Sequence, residues 1–139
     1  EEEFLAALLP SFQRVYEKAN ASNLTLCLEN TMNYHLPFLQ TALQKLSCLE
    51  GFALTWDVGH DARSGHRDRE TILRYVAHIR HLHVHQYDGR SDHLPLNMGG
   101  EVNLQETLAL AQEQNLTWVL ETKTEEALRQ SCHWLHEQA

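Results

Sequence analysis

Short strand-like segments alternate with longer helical segments along this chain, and that alternation restricts the possible folds more than any other feature. Apolar residues at helical spacing predict helices, whereas short runs of alternating character predict strands. The predicted helices are Glu3–Ala19, Leu36–Cys48, Arg67–Ile79, Leu104–Gln114 and Glu125–Glu137, and the predicted strands are Leu24–Glu29, Phe52–Asp57, Arg80–His85 and Thr117–Glu121. Strands separated by helices pair in parallel, so we expect an α/β fold.

The two faces of each predicted strand differ in character. In the second strand, Leu54 and Trp56 point to one face, and Ala53, Thr55 and Asp57 point to the other. The other strands also have one large apolar face and one smaller or polar face that carries a potential metal ligand. This pattern is typical of a barrel, because an open sheet covered by helices needs apolar residues on both faces. No glycine-rich phosphate loop follows a strand, which further disfavours a dinucleotide-binding fold.

Four strand–helix units are half of an eight-stranded (β/α)8 TIM barrel. Because the first predicted helix has no strand before it, we interpret residues 1–139 as one half-barrel domain, the C-terminal half with strands 5 to 8. Its two outer strands would have unpaired edges, which are templates for pairing with another chain. We therefore expect a homodimer that closes the barrel. The alternative is that the other half belongs to a longer parent chain.

Charge and composition exclude several kinds of partner. The net charge is -8, whereas binding to nucleic acid or to an anionic membrane needs clustered Lys and Arg. No apolar run approaches the roughly 20 residues that span a bilayer. The cysteines Cys27, Cys48 and Cys132 have no metal-site spacing, so we expect reduced thiols in a cytoplasmic protein.

Four short motifs end the predicted strands, and each contains an acidic residue or a histidine on the polar face. They read Leu28-Glu29-Asn30, Trp56-Asp57-Val58-Gly59-His60, His81-Leu82-His83-Val84-His85 and Leu120-Glu121-Thr122-Lys123. Together they resemble the xylose isomerase-like superfamily, which contains sugar-phosphate isomerases and epimerases, ketose 3-epimerases and apurinic endonucleases of the endonuclease IV type. The resemblance covers nearly the whole chain but half of the family fold, and it depends on the four motifs in order.

The resemblance implies a metal site at the ends of the strands. The metal ligands would be Glu29, Asp57, His83 and Glu121, and the two glutamates would also move the substrate proton. His60 matches a family residue that contacts substrate or an additional metal.

Residues of the long segment after the third strand add to this site. His93 matches a loop histidine that binds a further zinc in the endonucleases, and the length of segment 86–103 favours a loop that covers the substrate. Arg90 in this segment could bind a phosphate or hydroxyl group, and Lys123 shares the strand face of Glu121. Arg90 could equally be a solvated loop residue.

The chain also departs from the family pattern. Gln86 stands where the family often has aspartate, and the glycine-rich stretch Asn97–Glu101 is one residue longer than usual. Two histidine ligands that the endonucleases take from their N-terminal half are absent.

The ligand set indicates a reaction class. Three carboxylates and one imidazole suit one divalent ion, Mn²⁺, Mg²⁺, Co²⁺ or Zn²⁺, and leave positions open for substrate oxygens. Without a cation the converging carboxylates would repel one another. A ketose could occupy the open positions while the ion acts as a Lewis acid during proton transfer. We therefore expect a sugar or sugar-phosphate isomerase or epimerase.

Other interpretations stay open on the sequence alone. An apurinic endonuclease-type phosphodiesterase is the second hypothesis, although the acidic net charge and the missing zinc ligands count against it. The third is a folded, non-catalytic fragment. Taken singly, Glu29 could be a solvated strand-end carboxylate and Asp57 a helix or turn cap.

Overall fold

A parallel four-stranded sheet with helices packed on one face is the framework of the computed structural model, which describes residues 1–138. The strands are β1 (Cys27–Glu29), β2 (Ala53–Asp57), β3 (Ile79–Val84) and β4 (Thr117–Leu120). The helices are α1 (Glu2–Ala21), α2 (Pro37–Leu46), α3 (Val58–Arg63), α4 (Arg69–Arg74), α5 (Leu104–Glu113) and α6 (Glu125–Gln138), with a 3-10 turn at Val76–His78. The strand order β1-β2-β3-β4 follows the chain, so the predicted α/β fold is confirmed.

The register of the sheet brings the strand ends to one edge. Asp57 at the end of β2 lies beside His83 in β3. The pairing of β3 with β4 continues one residue further, because the Glu121 N–H donates to the Val84 carbonyl at 3.2 Å. Because all four strands are parallel, their carboxyl ends meet at the same edge.

The two faces of the sheet have the environments that strand parity predicts. Leu54, Leu82 and Val84 are completely buried between the sheet and the helices. On the opposite face, Val119 is exposed and Cys27 is half-buried. The core therefore lies on the helical side, and the other side of the sheet is open at its outer strands.

The predicted helix Arg67–Ile79 forms only in part. The α-helix α4 ends at Arg74, because Tyr75 leaves the helical conformation with a φ of −112° and a ψ of 25°, and a 3-10 turn follows at Val76–His78. The sequence analysis did not predict α3, which Gly65 and His66 separate from α4 with φ values of 70° and 58°. The first strand is also shorter than predicted, because its pairing with β2 begins at Cys27.

None of the helices among the described residues combines the length and the apolar character that a bilayer span requires.

Asn30 joins β1 to β2 just beyond the end of β1. Its side-chain amide imitates a strand backbone: Oδ1 accepts the Asp57 N–H at 2.8 Å, and Nδ2 donates to the Asp57 carbonyl at 3.0 Å. Asn30 is completely buried, so water cannot replace these bonds. The side chain therefore fixes the backbone of Asp57 relative to Glu29.

Replacing Asn30 by alanine should lower the free energy of unfolding. Both backbone groups of Asp57 would lose a buried partner, at a cost of roughly 1–3 kcal/mol each. The control Asn97→Ala removes an exposed amide and should change the stability by less than about 0.5 kcal/mol. Urea unfolding followed by circular dichroism measures both variants, and equally small losses would contradict this account.

Candidate metal centre

Asp57 is at the centre of the strand-end cluster and is held by three contacts. Its Oδ1 accepts the His60 backbone N–H at 2.7 Å, as the N-cap of α3, and lies 3.1 Å from His85 Nε2. Asn30 holds its backbone. The carboxylate is completely buried, and Oδ2 has no hydrogen-bond partner. Asp57 is thus both a helix cap and a carboxylate with one oxygen left for a ligand.

The other three predicted metal ligands lie close to Asp57, and His83 is near all three carboxylates. His83 Nδ1 is 3.8 Å from Asp57 Oδ2, 3.6 Å from Glu29 Oε2 and 3.1 Å from Glu121 Oε2. One ligand atom from each of Glu29, Asp57 and His83 lies within 4.8 Å of the others. The structure therefore brings together all four residues that the sequence analysis selected, and their role as ligands stays a prediction.

Several buried atoms of this cluster have no hydrogen-bond partner. They are Asp57 Oδ2, His60 Nδ1, His83 Nδ1, His85 Nε2, His93 Nδ1 and Glu121 Oε2. An unpartnered buried polar atom costs free energy, and buried polar groups in folded proteins nearly always have a partner. A divalent cation would satisfy several of these atoms at once and would remove the repulsion between the carboxylates. The residues present therefore fit a metal ion.

Three histidines form a second group beside the carboxylates. His60, His85 and His93 can place one ring nitrogen each within 4.8 Å of one another. The rings of His85 and His93 are stacked, with centroids 4.2 Å apart and an interplanar angle of 9°. His60 Nδ1 is 3.4 Å from Glu29 Oε1, and His93 Nε2 is 3.7 Å from Glu121 Oε2. His60 and His93 thus border the predicted metal site.

The sequence analysis missed the importance of His85. It continued the third strand to His85, but the strand ends at Val84, and His85 is completely buried. The signal that could have found it is Gly59, since a Cβ atom there would lie 2.0 Å from His85 Cε1. A glycine two residues after a strand-end aspartate is consistent with another group that occupies the space of its side chain.

Asp57 and His85 shift each other's pKa. Burial alone would raise the pKa of Asp57, but His85 and the His60 amide outweigh it and leave this pKa below its ordinary value. Burial likewise would lower the pKa of His85, but the Asp57 carboxylate outweighs it and raises this pKa. At neutral pH Asp57 is therefore an ionised carboxylate, the form that binds a cation.

The segment 86–103, which we call the site loop, is fastened at both ends. The side-chain amide of Gln86 forms hydrogen bonds with both backbone groups of Val102. Its Oε1 accepts the N–H at 3.2 Å, and its Nε2 donates to the carbonyl at 3.1 Å. An ionised aspartate at this position could not donate to the Val102 carbonyl. A Cβ atom at Gly100 would lie 2.3 Å from Gln86 Oε1, which explains the glycine.

Asp92 fastens the middle of the site loop. Lys123 Nζ lies 2.6 Å from Asp92 Oδ1, and Arg63 pairs with Oδ2. Lys123, His93 and Arg63 hold the pKa of Asp92 well below its usual range. Lys123 is thus engaged with the loop, and its predicted role in substrate binding stays a prediction.

Arg90 lies in an exposed turn of the site loop, where its backbone N–H donates to Asp88 Oδ1 at 2.9 Å. None of the ion pairs among the described residues joins its guanidinium to the strand-end cluster. Its predicted contact with substrate has no support in the contacts of this structure and stays a prediction.

The comparisons with known proteins identify the family. Residues 1–138 match the xylose isomerase-like TIM barrel family, and the chain belongs to it. The structure resembles the crystal structure of a D-tagatose 3-epimerase-like protein, with a TM-score of 0.72 and 23% sequence identity. The match covers 97% of this chain and 54% of that one, so the chain spans about half the length of that structure. At this identity the likeness shows the fold. The comparison with curated proteins gave no match.

Replacing Asp92 by asparagine should destabilise the site loop at neutral pH. The substitution removes the charge that holds Lys123 and Arg63, and hydrogen bonds to charged groups contribute roughly 1.5–3 kcal/mol, less where the partner is exposed. We expect faster proteolysis within residues 86–103 and a lower unfolding free energy. Glu113→Gln, which removes an exposed charge from α5, is the matched control. Unchanged proteolysis in Asp92→Asn would contradict this role.

Proposed function

We propose that this chain is part of a metal-dependent sugar or sugar-phosphate isomerase or epimerase that acts by proton transfer next to a carbonyl group. The observation that carries the proposal is the group of buried, unpartnered ligand atoms where β2, β3 and β4 end. In TIM barrels the active site lies at this end of the strands. The family membership and the similarity to a D-tagatose 3-epimerase-like protein support the same reaction class.

The proposed metal ligands are Glu29, Asp57, His83 and Glu121. Carboxylate oxygens with one imidazole nitrogen suit a single Mn²⁺, Mg²⁺, Co²⁺ or Zn²⁺ ion. When bound, the ion would supply Lewis-acid stabilisation of negative charge on the substrate oxygens. His60 and His93 are near enough to the cluster to be further ligands or to contact substrate.

Glu29 and Glu121 are the proposed proton-transfer groups. Glu29 ends β1 and Glu121 directly follows β4, the two outermost strands, whereas Asp57 and His83 lie on the strands between them. Their side chains are 33% and 40% exposed, so a substrate can reach them, whereas Asp57 is completely buried. Two accessible carboxylates on either side of one site can remove a proton from one face of a carbon and return it to the other.

The metal proposal predicts that the chain binds about one divalent ion. Mn²⁺ titration by calorimetry, with metal analysis of the purified chain, measures stoichiometry and affinity. Asp57→Asn or Glu29→Gln should abolish tight binding, because each removes a charged ligand from a small site. Glu101→Gln, an exposed carboxylate of the site loop, should bind like the parent. If both cluster variants hold metal like the parent, the site is misplaced.

The reaction proposal predicts isotope exchange. A ketose incubated with the chain and Mn²⁺ in D2O should gain deuterium at the carbon next to its carbonyl, and Glu121→Gln should stop the exchange. Mass spectrometry of the sugar measures the incorporated deuterium. Exchange that persists unchanged in Glu121→Gln would remove this residue from proton transfer.

An apurinic endonuclease-type phosphodiesterase is the second candidate. The proximity of His60, His85 and His93 favours it, because a histidine-rich group beside carboxylates could bind a further zinc ion. Cleavage of abasic DNA without sugar exchange would move this candidate to first place. If the chain shows neither activity, the result would favour a non-catalytic domain.

The unpaired edges of β1 and β4 support a further proposal about assembly. Among the described residues these strands pair on one side only, and Val119 on the open face is exposed. An unpaired strand edge is a template for another strand. We propose that a second copy of the chain covers these edges in a two-fold dimer, the commonest closed oligomer. The alternative is that the other strands belong to a longer chain.

Light scattering on the purified chain tests the assembly. A dimer mass at micromolar concentration is expected if two copies complete the barrel. A clean monomer mass would exclude the homodimer and leave the longer-chain alternative.

A further inference from the structure

His85 connects Asp57 to the site loop through its two ring nitrogens. Nε2 lies 3.1 Å from Asp57 Oδ1, and Nδ1 accepts the backbone N–H of His93 at 2.8 Å. Nδ1 is also 3.2 Å from the Gln86 carbonyl, which already accepts the Leu94 N–H. The ring is completely buried, and a carboxylate oxygen of Glu121 also lies within 4.8 Å of one of its nitrogens.

These contacts define which nitrogen carries the proton. The His93 N–H is a donor and cannot be reversed, so Nδ1 must offer a lone pair to it. The neutral ring then carries its proton on Nε2, next to the negatively charged carboxylate of Asp57. A buried imidazole in this state points its N–H toward Asp57 Oδ1 at 3.1 Å, without the alignment of a full hydrogen bond, and accepts a hydrogen bond from the site loop.

Gly59 makes room for this ring. A Cβ atom at Gly59 would lie 2.0 Å from His85 Cε1 and 2.3 Å from Nδ1. The stacked ring of His93 lies 4.2 Å away, between centroids. Backbone therefore confines the imidazole from one direction, and a loop residue packs against its face.

We propose that His85 is a positioning residue that turns Oδ2 of Asp57 toward the metal site and couples this orientation to the position of the site loop at His93. The metal half of the inference, the orientation of Asp57 Oδ2, rests on the proposed function because it takes Asp57 as a ligand. The loop half, the contact of His85 with the site loop at His93, is independent of the proposed function. Oδ1 accepts the His60 N–H and faces His85 Nε2, whereas Oδ2 has no hydrogen-bond partner and lies 3.1 Å from the ring nitrogen Nδ1 of His60. Hydrogen-bonded partners of this kind orient metal-binding carboxylates.

Two substitutions separate the two contacts of His85. The amide oxygen of asparagine is as many bonds from Cα as Nδ1, so His85→Asn keeps an acceptor for the His93 N–H but loses the donor to Asp57. The amide nitrogen of glutamine corresponds to Nε2, so His85→Gln keeps the donor to Asp57 but loses the acceptor.

Mn²⁺ affinity reports the contact of His85 with Asp57, and amide exchange at His93 reports its contact with the site loop. His85→Asn should weaken Mn²⁺ binding about 10-fold, the scale of losses from such oriented partners, and leave amide exchange at His93 unchanged. His85→Gln should bind Mn²⁺ like the parent and exchange the His93 amide roughly 5-fold faster in the metal-free chain, as expected for one lost hydrogen bond. Identical behaviour of the two variants in both measurements would overturn the proposal.

Other outcomes are also decisive. If His85→Asn abolishes Mn²⁺ binding as completely as Asp57→Asn, His85 is itself a ligand and the proposal is wrong. If the parent binds no Mn²⁺, the proposed function fails and the metal half fails with it, while exchange at His93 still decides the loop half.

Gly59→Ala provides a test that leaves both polar contacts chemically intact. The added methyl group should displace the ring and weaken Mn²⁺ binding in the parent, but not further in a His85→Ala background, where the ring is absent. Such non-additivity is expected of residues that act through one another. Additive losses, with the secondary structure preserved by circular dichroism, would mean general disruption and would overturn the role of His85.

Discussion

The convergence of carboxylates at one end of a parallel sheet is the constraint on which the rest of this structure depends. Parallel pairing places the ends of all four strands together, so Glu29, Asp57 and Glu121 must share a small volume with His83. Like charges at this distance are unfavourable unless a cation or a set of donors compensates them. The His60 amide satisfies one oxygen of Asp57, and the other oxygen has no hydrogen-bond partner, which leaves it available to a metal ion.

The surrounding residues hold this arrangement in place rather than complete it. Asn30 fixes the Asp57 backbone, the start of α3 fixes Oδ1, and His85 joins the same oxygen to the site loop. Asp92 then fastens that loop to Lys123, which follows β4. The positions of the proposed metal ligands, of the start of α3 and of the site loop therefore depend on one another, because these contacts form a continuous chain through Asp57, His85 and the loop.

Strand parity was sufficient to predict the fold class and the residues that meet at the strand ends, because the side-chain alternation of a strand is fixed by its backbone. The prediction from strand parity failed beyond the ends of the strands. His85 lies one residue beyond β3, where parity no longer applies, and its burial depends on Gly59 and on the loop. The helix predicted over 67–79 formed only in part, because Tyr75 leaves the helical conformation and separates α4 from the 3-10 turn at Val76–His78. Which half of the barrel the chain represents stays a prediction.

Anomalous diffraction from crystals grown with Mn²⁺ tests the central claim most directly, because it locates the ion without assuming an activity. The account predicts one strong peak bounded by Asp57 Oδ2, Glu29, His83 and Glu121, at about 2.0–2.2 Å from the ligand atoms that bind it. Oδ1 of Asp57 should remain with the His60 amide and His85. A peak elsewhere, or none at the strand ends at saturating Mn²⁺, would contradict it.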